Sequence, residues 1–333
     1  MSGLDLVTGG AGYLGSHVAR ALLARGRRVR VLDLTRTAAC PEQAELIEGD
    51  MQRPEVVRAA CEGVERVLHI AFVQSLSRRP EAERRAINLG GMDHLLAESV
   101  RAGVARFVFA STIEVYGTRP PYPCREDAPL DRPVGWYGEH KLRCEEKLWR
   151  CAREQGLSAT ALRMPTICGR GFYNHRPLLE LMDRVLDGRP VAVVGAGETP
   201  GDFVHVDDVV QAFLLAAERS EAAGEALNVS AAAEGSQRQV IEAMIAAVGS
   251  RSRIVPLPRA LLRLLLPLGR LLRVHDLPPE QDGYLFFPNH YGCDKARRLL
   301  GYAPRYTVAQ AAAALIEGYR EDRPRVRERA WSY

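Results

Sequence analysis

The chain has 333 residues, enough for one large domain or two unequal ones with an ample core. Apolar residues make up 47% and charged residues 26%, as in an ordinary globular protein, and the net charge of +4 is spread among interleaved acids, which argues against a nucleic-acid partner. Seven cysteines, an odd number without a Cys-x-x-Cys pair, argue against a disulfide framework or a zinc site; with no signal-peptide pattern ahead of the first strand, a cytoplasmic chain with reduced thiols is expected.

In chain order, Leu4–Thr8 is an apolar strand-like run, and Tyr13–Arg25 has helical spacing that stops at Gly26. Further strands are predicted at Arg28–Leu32, Leu46–Glu48, Val67–Ile70 and Phe107–Ala110, with helices near Glu55–Cys61 and Glu81–Ala102 between them. After Ser111 comes a loop with Pro120, Pro121, Pro123, Pro129 and Pro133. A long helix over Trp136–Gln155 and a strand over Ala159–Arg163 follow. From about Gly169 the pattern loosens into helices near Leu178–Leu186, Asp207–Glu218, Gln237–Val248 and Val308–Arg320, separated by short strands. Alternation of this kind predicts an α/β fold, a Rossmann-type doubly wound parallel sheet over residues 1–168, with 169–333 mainly a smaller substrate-binding lobe. The leucine-rich stretch Arg259–Val274 is too short and too charged to span a bilayer, so no integral membrane segment is expected. The favoured reading is a buried amphipathic helix, with a substrate-facing or membrane-surface helix as the minority one.

The first strand feeds into Gly9-Gly10-Ala11-Gly12-Tyr13-Leu14-Gly15 and then a helix. Gly9 permits the tight turn, Gly12 lets the backbone approach a pyrophosphate, and Gly15 lets helix and strand pack closely. The helix N-terminus then offers free N–H groups and a positive dipole end to phosphates. Asp33 closes the second strand, where a carboxylate accepts from ribose hydroxyls and repels a 2′-phosphate. These features predict a dinucleotide site that takes NAD in preference to NADP.

Tyr137 and Lys141 are four residues apart on one face of a predicted helix. A phenol of pKa about 10 is a poor base at neutral pH, and a nearby ammonium with an oxidised nicotinamide is expected to lower it. Thr112 sits at the carboxyl end of the strand before Ile113-Glu114-Val115-Tyr116-Gly117, where ligands bind in doubly wound folds. Its hydroxyl is placed to polarise a substrate oxygen.

With these pieces in place, the sequence resembles an extended short-chain dehydrogenase/reductase of the NAD-dependent epimerase/dehydratase group. The matching stretches are Thr8–Gly15, Asp33, Asp50-Met51, His69-Ile70-Ala71, Asn88, Ser111–Gly117, Tyr137 with Lys141, Leu162–Gly169 and Gly201–Asp208. The resemblance implies that Thr112, Tyr137 and Lys141 form the catalytic triad; Glu114 beside it is read either as a second acid or base or as a solvated or hydrogen-bonded loop carboxylate. The resemblance also implies that Asp50 and Met51 flank the adenine, that Ile70 and Ala71 line the nicotinamide half, and that Asn88 braces the catalytic helix. Tyr13, Leu14 and Pro165 complete the cofactor set, and Gln74, Thr166 and Asn174 stand on the substrate side. A homodimer paired through Glu81–Ala102 and Trp136–Gln155 is implied by the same likeness, as is a structural His205, with Asp207 and Asp208 capping the next helix.

Two departures bear on the substrate. Thr166 stands where sugar-nucleotide members carry Asn, and Gly201 where they carry Arg; Arg170 or Arg176 are the candidates to compensate. The sequence ranks a small-molecule sugar or nucleotide sugar first, with epimerisation above dehydration. A steroid-, terpenoid- or polyketide-like alcohol, for which Tyr284, Phe286, Phe287 and Tyr291 are pocket candidates, ranks second. A non-catalytic NAD-binding protein ranks last.

Overall fold

The computed structural model describes residues 3–130, 132–173, 176–272 and 279–330, with side chains described as far as 326. The first half is β1 (Leu4–Thr8), α1 (Tyr13–Ala24), β2 (Arg28–Asp33), β3 (Glu45–Glu48), α2 (Pro54–Cys61), β4 (Val64–His69), α3 (Glu81–Arg85), a π turn (Ala86–Gly90), α4 (Gly91–Arg101), β5 (Arg106–Thr112), α5 (Gly135–Gln155) and β6 (Ala159–Met164). The second half is β7 (Thr166–Cys168), α6 (Arg176–Leu186), β8 (Val191–Val194), β9 (Pro200–Gly201), β10 (Phe203–His205), α7 (Val206–Glu218), β11 (Glu225–Asn228), β12 (Gly235–Ser236), α8 (Gln237–Val248), β13 (Ile254–Leu257), α9 (Arg259–Leu271), α10 (Gly283–Phe286), α11 (Asp294–Leu300) and α12 (Val308–Ala330).

Seven strands form one sheet in the order β11-β6-β5-β4-β1-β2-β3, and every pairing in it is parallel. A parallel sheet is covered on both faces, which is why β1, β5 and β6 are buried along their whole length and mostly apolar rather than alternating, with Asp5, Arg106 and Arg163 as their buried charges. One face packs on α1, α7 and α11 through Val18, Leu22, Phe213 and Leu300. The other packs on α2, α4 and α5 through Val57, Leu95 and Leu148. A separate core around Met182, Met244, Leu315 and Tyr319 joins α6, β8, α8 and α12. The carboxyl ends of β1, β2, β4 and β5 therefore meet at one edge of the sheet, the ligand-binding edge of this architecture.

Three expectations change. The predicted helix over Glu81–Ala102 is broken by the π turn, an insertion of a kind that often accompanies a functional residue, and Asn88 lies in it. The N-cap of α7 is His205, whose ring accepts from the Asp207 amide, whereas Asp208 turns inward and accepts from the amides of Arg305 and Tyr306. A dry carboxylate needs donors, and that loop supplies two. The leucine-rich helix α9 is not buried: Leu266 is its one buried residue, and Leu264 and Leu271 are 71% and 78% exposed. Periodicity reveals that a helix has an apolar face, not what covers it.

Candidate active site

The glycine turn is a cradle built by close backbone approach. Gly9 has φ +72, and a Cβ there would lie 2.8 Å from the Ala71 nitrogen. A Cβ on Gly15 would lie 2.1 Å from the Gly9 carbonyl oxygen, so α1 can start directly beneath the turn only with glycine at that position. The Gly12 amide donates to Gly9 O at 3.0 Å, and Leu14 is buried beside Val18 in the core beneath. Asp33 sits at the rim, its Oδ2 accepting from the Ala11 amide at 3.0 Å and its Oδ1 from the Leu34 amide at 2.8 Å. Thr8 Oγ1 accepts from the Ile70 amide at 3.1 Å and holds the β4 end against the turn.

Asp50 is half-buried and accepts from the Gln52 amide and side chain. Met51 is buried against Gly91 at the start of α4. Asn88 Oδ1 accepts from the Val73 amide at 2.9 Å, and its Nδ2 lies 3.2 Å from His140 Nδ1, next to Lys141 on α5. Pro165 is buried, Thr166 and Gln74 are exposed, and Asn174 lies outside the described residues. Tyr13 is half-buried against Phe172, and its hydroxyl is buried without a partner among the described residues. The cradle, the rim carboxylate and the row of strand ends fit an extended dinucleotide.

Thr112 ends β5, and its Oγ1 accepts from the Glu114 amide, starting a tight 3₁₀ turn. Glu114 O accepts from the Val134 amide at 2.8 Å just before α5, and a Cβ on Gly138 would lie 2.9 Å from that same oxygen. The turn carrying Thr112 and Glu114 is thus pressed onto the first turn of the helix bearing Tyr137 and Lys141. The Tyr137 ring packs edge-on against Phe72 at 5.6 Å. Lys141 Nζ donates to Ala110 O at 2.5 Å and lies 3.7 Å from the centre of the Phe72 ring.

Burial dominates the electrostatics. It lowers Lys141 to about 7, against the pull of the Cys144, Glu145 and Glu114 side chains. Burial, with the Glu114 carboxylate, raises the Tyr137 phenol instead of lowering it. Burial thus opposes the lowering that the ammonium and an oxidised nicotinamide together are expected to give. Glu114 is pushed up to about 8, chiefly by burial and then by Glu280, so it holds a proton at neutral pH.

The structure adds residues that the sequence reading did not single out. Ser111 Oγ donates to Glu145 Oε1 at 2.5 Å, and Glu145 takes a two-point ion pair from Arg163 on β6, both side chains almost wholly buried. Arg163 donates on to Tyr116 Oη, which donates to Asn228 on β11. This chain locks the catalytic helix to three strands. A signal for it existed: Glu145 lies one helical turn beyond Lys141, and Arg163 is a charge inside a core strand. Over the site, Glu280 lies against Gly135, and a Cβ on Gly283 would overlap Thr118. Tyr284 and Tyr291 pack on Ile113, Val115 and Tyr116, their hydroxyls buried without partners among the described residues.

A model of the NAD dependent epimerase/dehydratase family matches residues 6–230. The chain belongs to that family. It is an NAD-dependent enzyme of the extended short-chain dehydrogenase type, with NAD as its cofactor. It is similar to a UDP-glucose 4-epimerase of Streptomyces lividans, 36% identical over 66% of this chain and 73% of the relative. It is also similar to a 3 beta-hydroxysteroid dehydrogenase/Delta 5→4-isomerase of Mycobacterium tuberculosis, 29% identical over 95% of this chain and 90% of the relative. Among solved structures, a UDP-glucose 4-epimerase of Thermotoga maritima with UDP-glucose superposes with a TM-score of 0.79 at 27% identity, covering 96% of this chain and 99% of that one. The family match ends before the segment that roofs the site.

Proposed function

We propose that this family member transfers hydride between NAD and a secondary alcohol or ketone carbon of an apolar substrate, with Tyr137 moving the proton. The observation that carries the reading is the make-up of the substrate side. Glu114, Glu280, Tyr284 and Tyr291 converge there, whereas Arg170 and Arg176, the candidates to hold a diphosphate, stand in exposed surface pairs with Glu321, Asp322 and Glu180. Two carboxyl groups on the substrate side disfavour a diphosphate and suit an uncharged substrate.

NAD supplies the hydride acceptor in oxidation and, when reduced, the donor. Gly9, Gly12 and Gly15 with the start of α1, including Tyr13 and Leu14, hold its pyrophosphate, and Asp33 takes the ribose hydroxyls. Asp50 and Met51 flank its adenine, while Ile70, Ala71 and Pro165 bound the nicotinamide half. Thr112 donates to the substrate oxygen; in oxidation the phenolate form of Tyr137, stabilised by the Lys141 ammonium, takes the hydroxyl proton, and in reduction the Tyr137 phenol gives it back. Asn88, through His140, fixes the helix that carries both. Glu114, protonated at neutral pH, donates to a second substrate oxygen. A cytoplasmic homodimer paired across α4 and α5 belongs to the same proposal, and sedimentation tests the pairing.

The second reading, epimerisation of a nucleotide sugar, draws support from the S. lividans and T. maritima likenesses. One local feature also favours it: among the described residues no heavy atom lies within 4 Å of where a Gly201 Cβ would stand, which leaves room for a larger ligand group. The test is a panel of apolar secondary alcohols and ketones followed by NADH absorbance, run beside UDP-sugars followed by product chromatography. Net NADH change with the apolar panel is expected. Epimer formation from a UDP-sugar without net NADH change would overturn the first reading in favour of the second.

A further inference from the structure

Helix α9 is the largest feature that the catalytic reading leaves unused. Its exposed leucines, Leu261, Leu264, Leu265, Leu268, Leu271 and Leu272, recur at helical spacing and form one continuous outward face. The opposite face is fastened to the protein. Leu262 and Leu266 pack with Leu285, Phe286 and Phe287, and Arg263 stacks over Phe286. Arg270 makes a two-point pair with Asp282, and Arg259 reaches Thr199. The elements under α9 are therefore the same segment that roofs the active site.

Charge selects the occupant of the leucine face. From Arg251 to Arg273 the sequence holds six arginines and no carboxylate. A second copy packed face to face would bring two such segments together, like charge against like, with Arg270 paired to Asp282 and the other arginines of the segment left without a carboxylate inside it. An anionic bilayer instead takes leucines into its acyl boundary and meets the arginines with its headgroups, the arrangement of an interfacial helix. At 13 residues, α9 is too short to cross a membrane, and no described helix is long and apolar enough to do so.

We propose that α9 docks the protein on an anionic membrane surface, leucine face inward, with the roof of the catalytic cleft held against that surface. This goes beyond the substrate reading and does not depend on it. The experiment is co-sedimentation of the full chain with mixed phosphatidylcholine–phosphatidylglycerol vesicles and with pure phosphatidylcholine vesicles. Binding to the mixed vesicles is expected, weakening with salt and falling about fivefold for each exposed arginine changed to glutamine at Arg259 and Arg263. Leu264→Asp with Leu271→Asp should lower binding by about tenfold or more for each leucine lost, while NADH-induced thermal stabilisation stays as in the parent. Both leucines are solvent-exposed, so the double variant removes no core contact. Wild-type chain left in the supernatant, or vesicle binding untouched by the double variant, would overturn the proposal. So would a concentration-dependent oligomer, without vesicles, that the double variant dissolves, since the face would then belong to a second copy.

Discussion

Glu114→Gln removes one titrating group from a dry site while keeping its shape. The wild-type carboxyl titrates near 8 in the folded protein and near 4.5 when unfolded. A folded pKa raised above the unfolded one means that stability is fully present below about pH 4.5 and is lost as pH rises toward about 8, because the unfolded chain sheds the proton first. At about 1.4 kcal/mol per unit, the loss is about 3 kcal/mol at pH 7 and about 4 kcal/mol at pH 8. The amide of the variant carries no such penalty. Urea unfolding of both proteins at about pH 5 and about pH 8 should therefore give stabilities within about 1 kcal/mol of each other at the lower pH and a variant more stable by about 4 kcal/mol at the higher one. Wild type and variant tracking each other in parallel across that range would refute a buried, proton-holding Glu114, and with it the donor role assigned to that residue.

Tyr137→Phe removes the proton-transfer hydroxyl and should lower kcat by about 10²–10⁴ with little change in NADH affinity, read by steady-state kinetics beside a fluorescence titration. Gly15→Ala places a methyl 2.1 Å from the Gly9 carbonyl oxygen and should abolish NADH-induced thermal stabilisation. Glu145→Ala strands the Arg163 guanidinium in the core and should cost about 3–5 kcal/mol in unfolding free energy, whereas an exposed pair such as Arg143 with Glu139 should be silent. Gly201→Arg enters open space and should leave the melting temperature unchanged; thermal stabilisation by uridine diphosphate in this variant alone would identify that position as the missing diphosphate contact.

The half of the site that handles the cofactor was legible because its causes are local. A glycine turn between strand and helix, an acid closing the next strand, and a Tyr–Lys pair one helical turn apart each follow from a few neighbouring residues, and the apolar stretch Phe107–Ala110 inside β5 marks a buried parallel strand. The π turn was not legible, since an extra residue in a helix changes no periodicity that a short window can detect. Nor was the burial that works against lowering the Tyr137 phenol. Spacing places Lys141 beside the phenol, but only the packed structure reveals that the ammonium is itself dry, turned to Ala110 O and Phe72, and half-discharged near neutrality.

The substrate half depends on contacts between residues far apart in the chain, and there a local pattern misleads in a consistent direction. The α9 leucines read as core because a strong apolar face is nearly always covered by the same chain. Here the covered face is the narrow one, Leu262 and Leu266, and it is spent on holding Phe286 and its neighbours over the cleft. The same segment carries Glu280 to Gly135 and Tyr284 to the Glu114 turn, so the residue that raises Glu114 and the helix that presents leucines to solvent belong to one connected piece. The segment that α9 holds through Phe286 and Asp282 thus both buries Glu114 and brings Glu280 toward it, the two causes that raise Glu114. A surface that binds α9 should then shift the alkaline limb of the pH–rate profile, and one that does not bind should leave it in place.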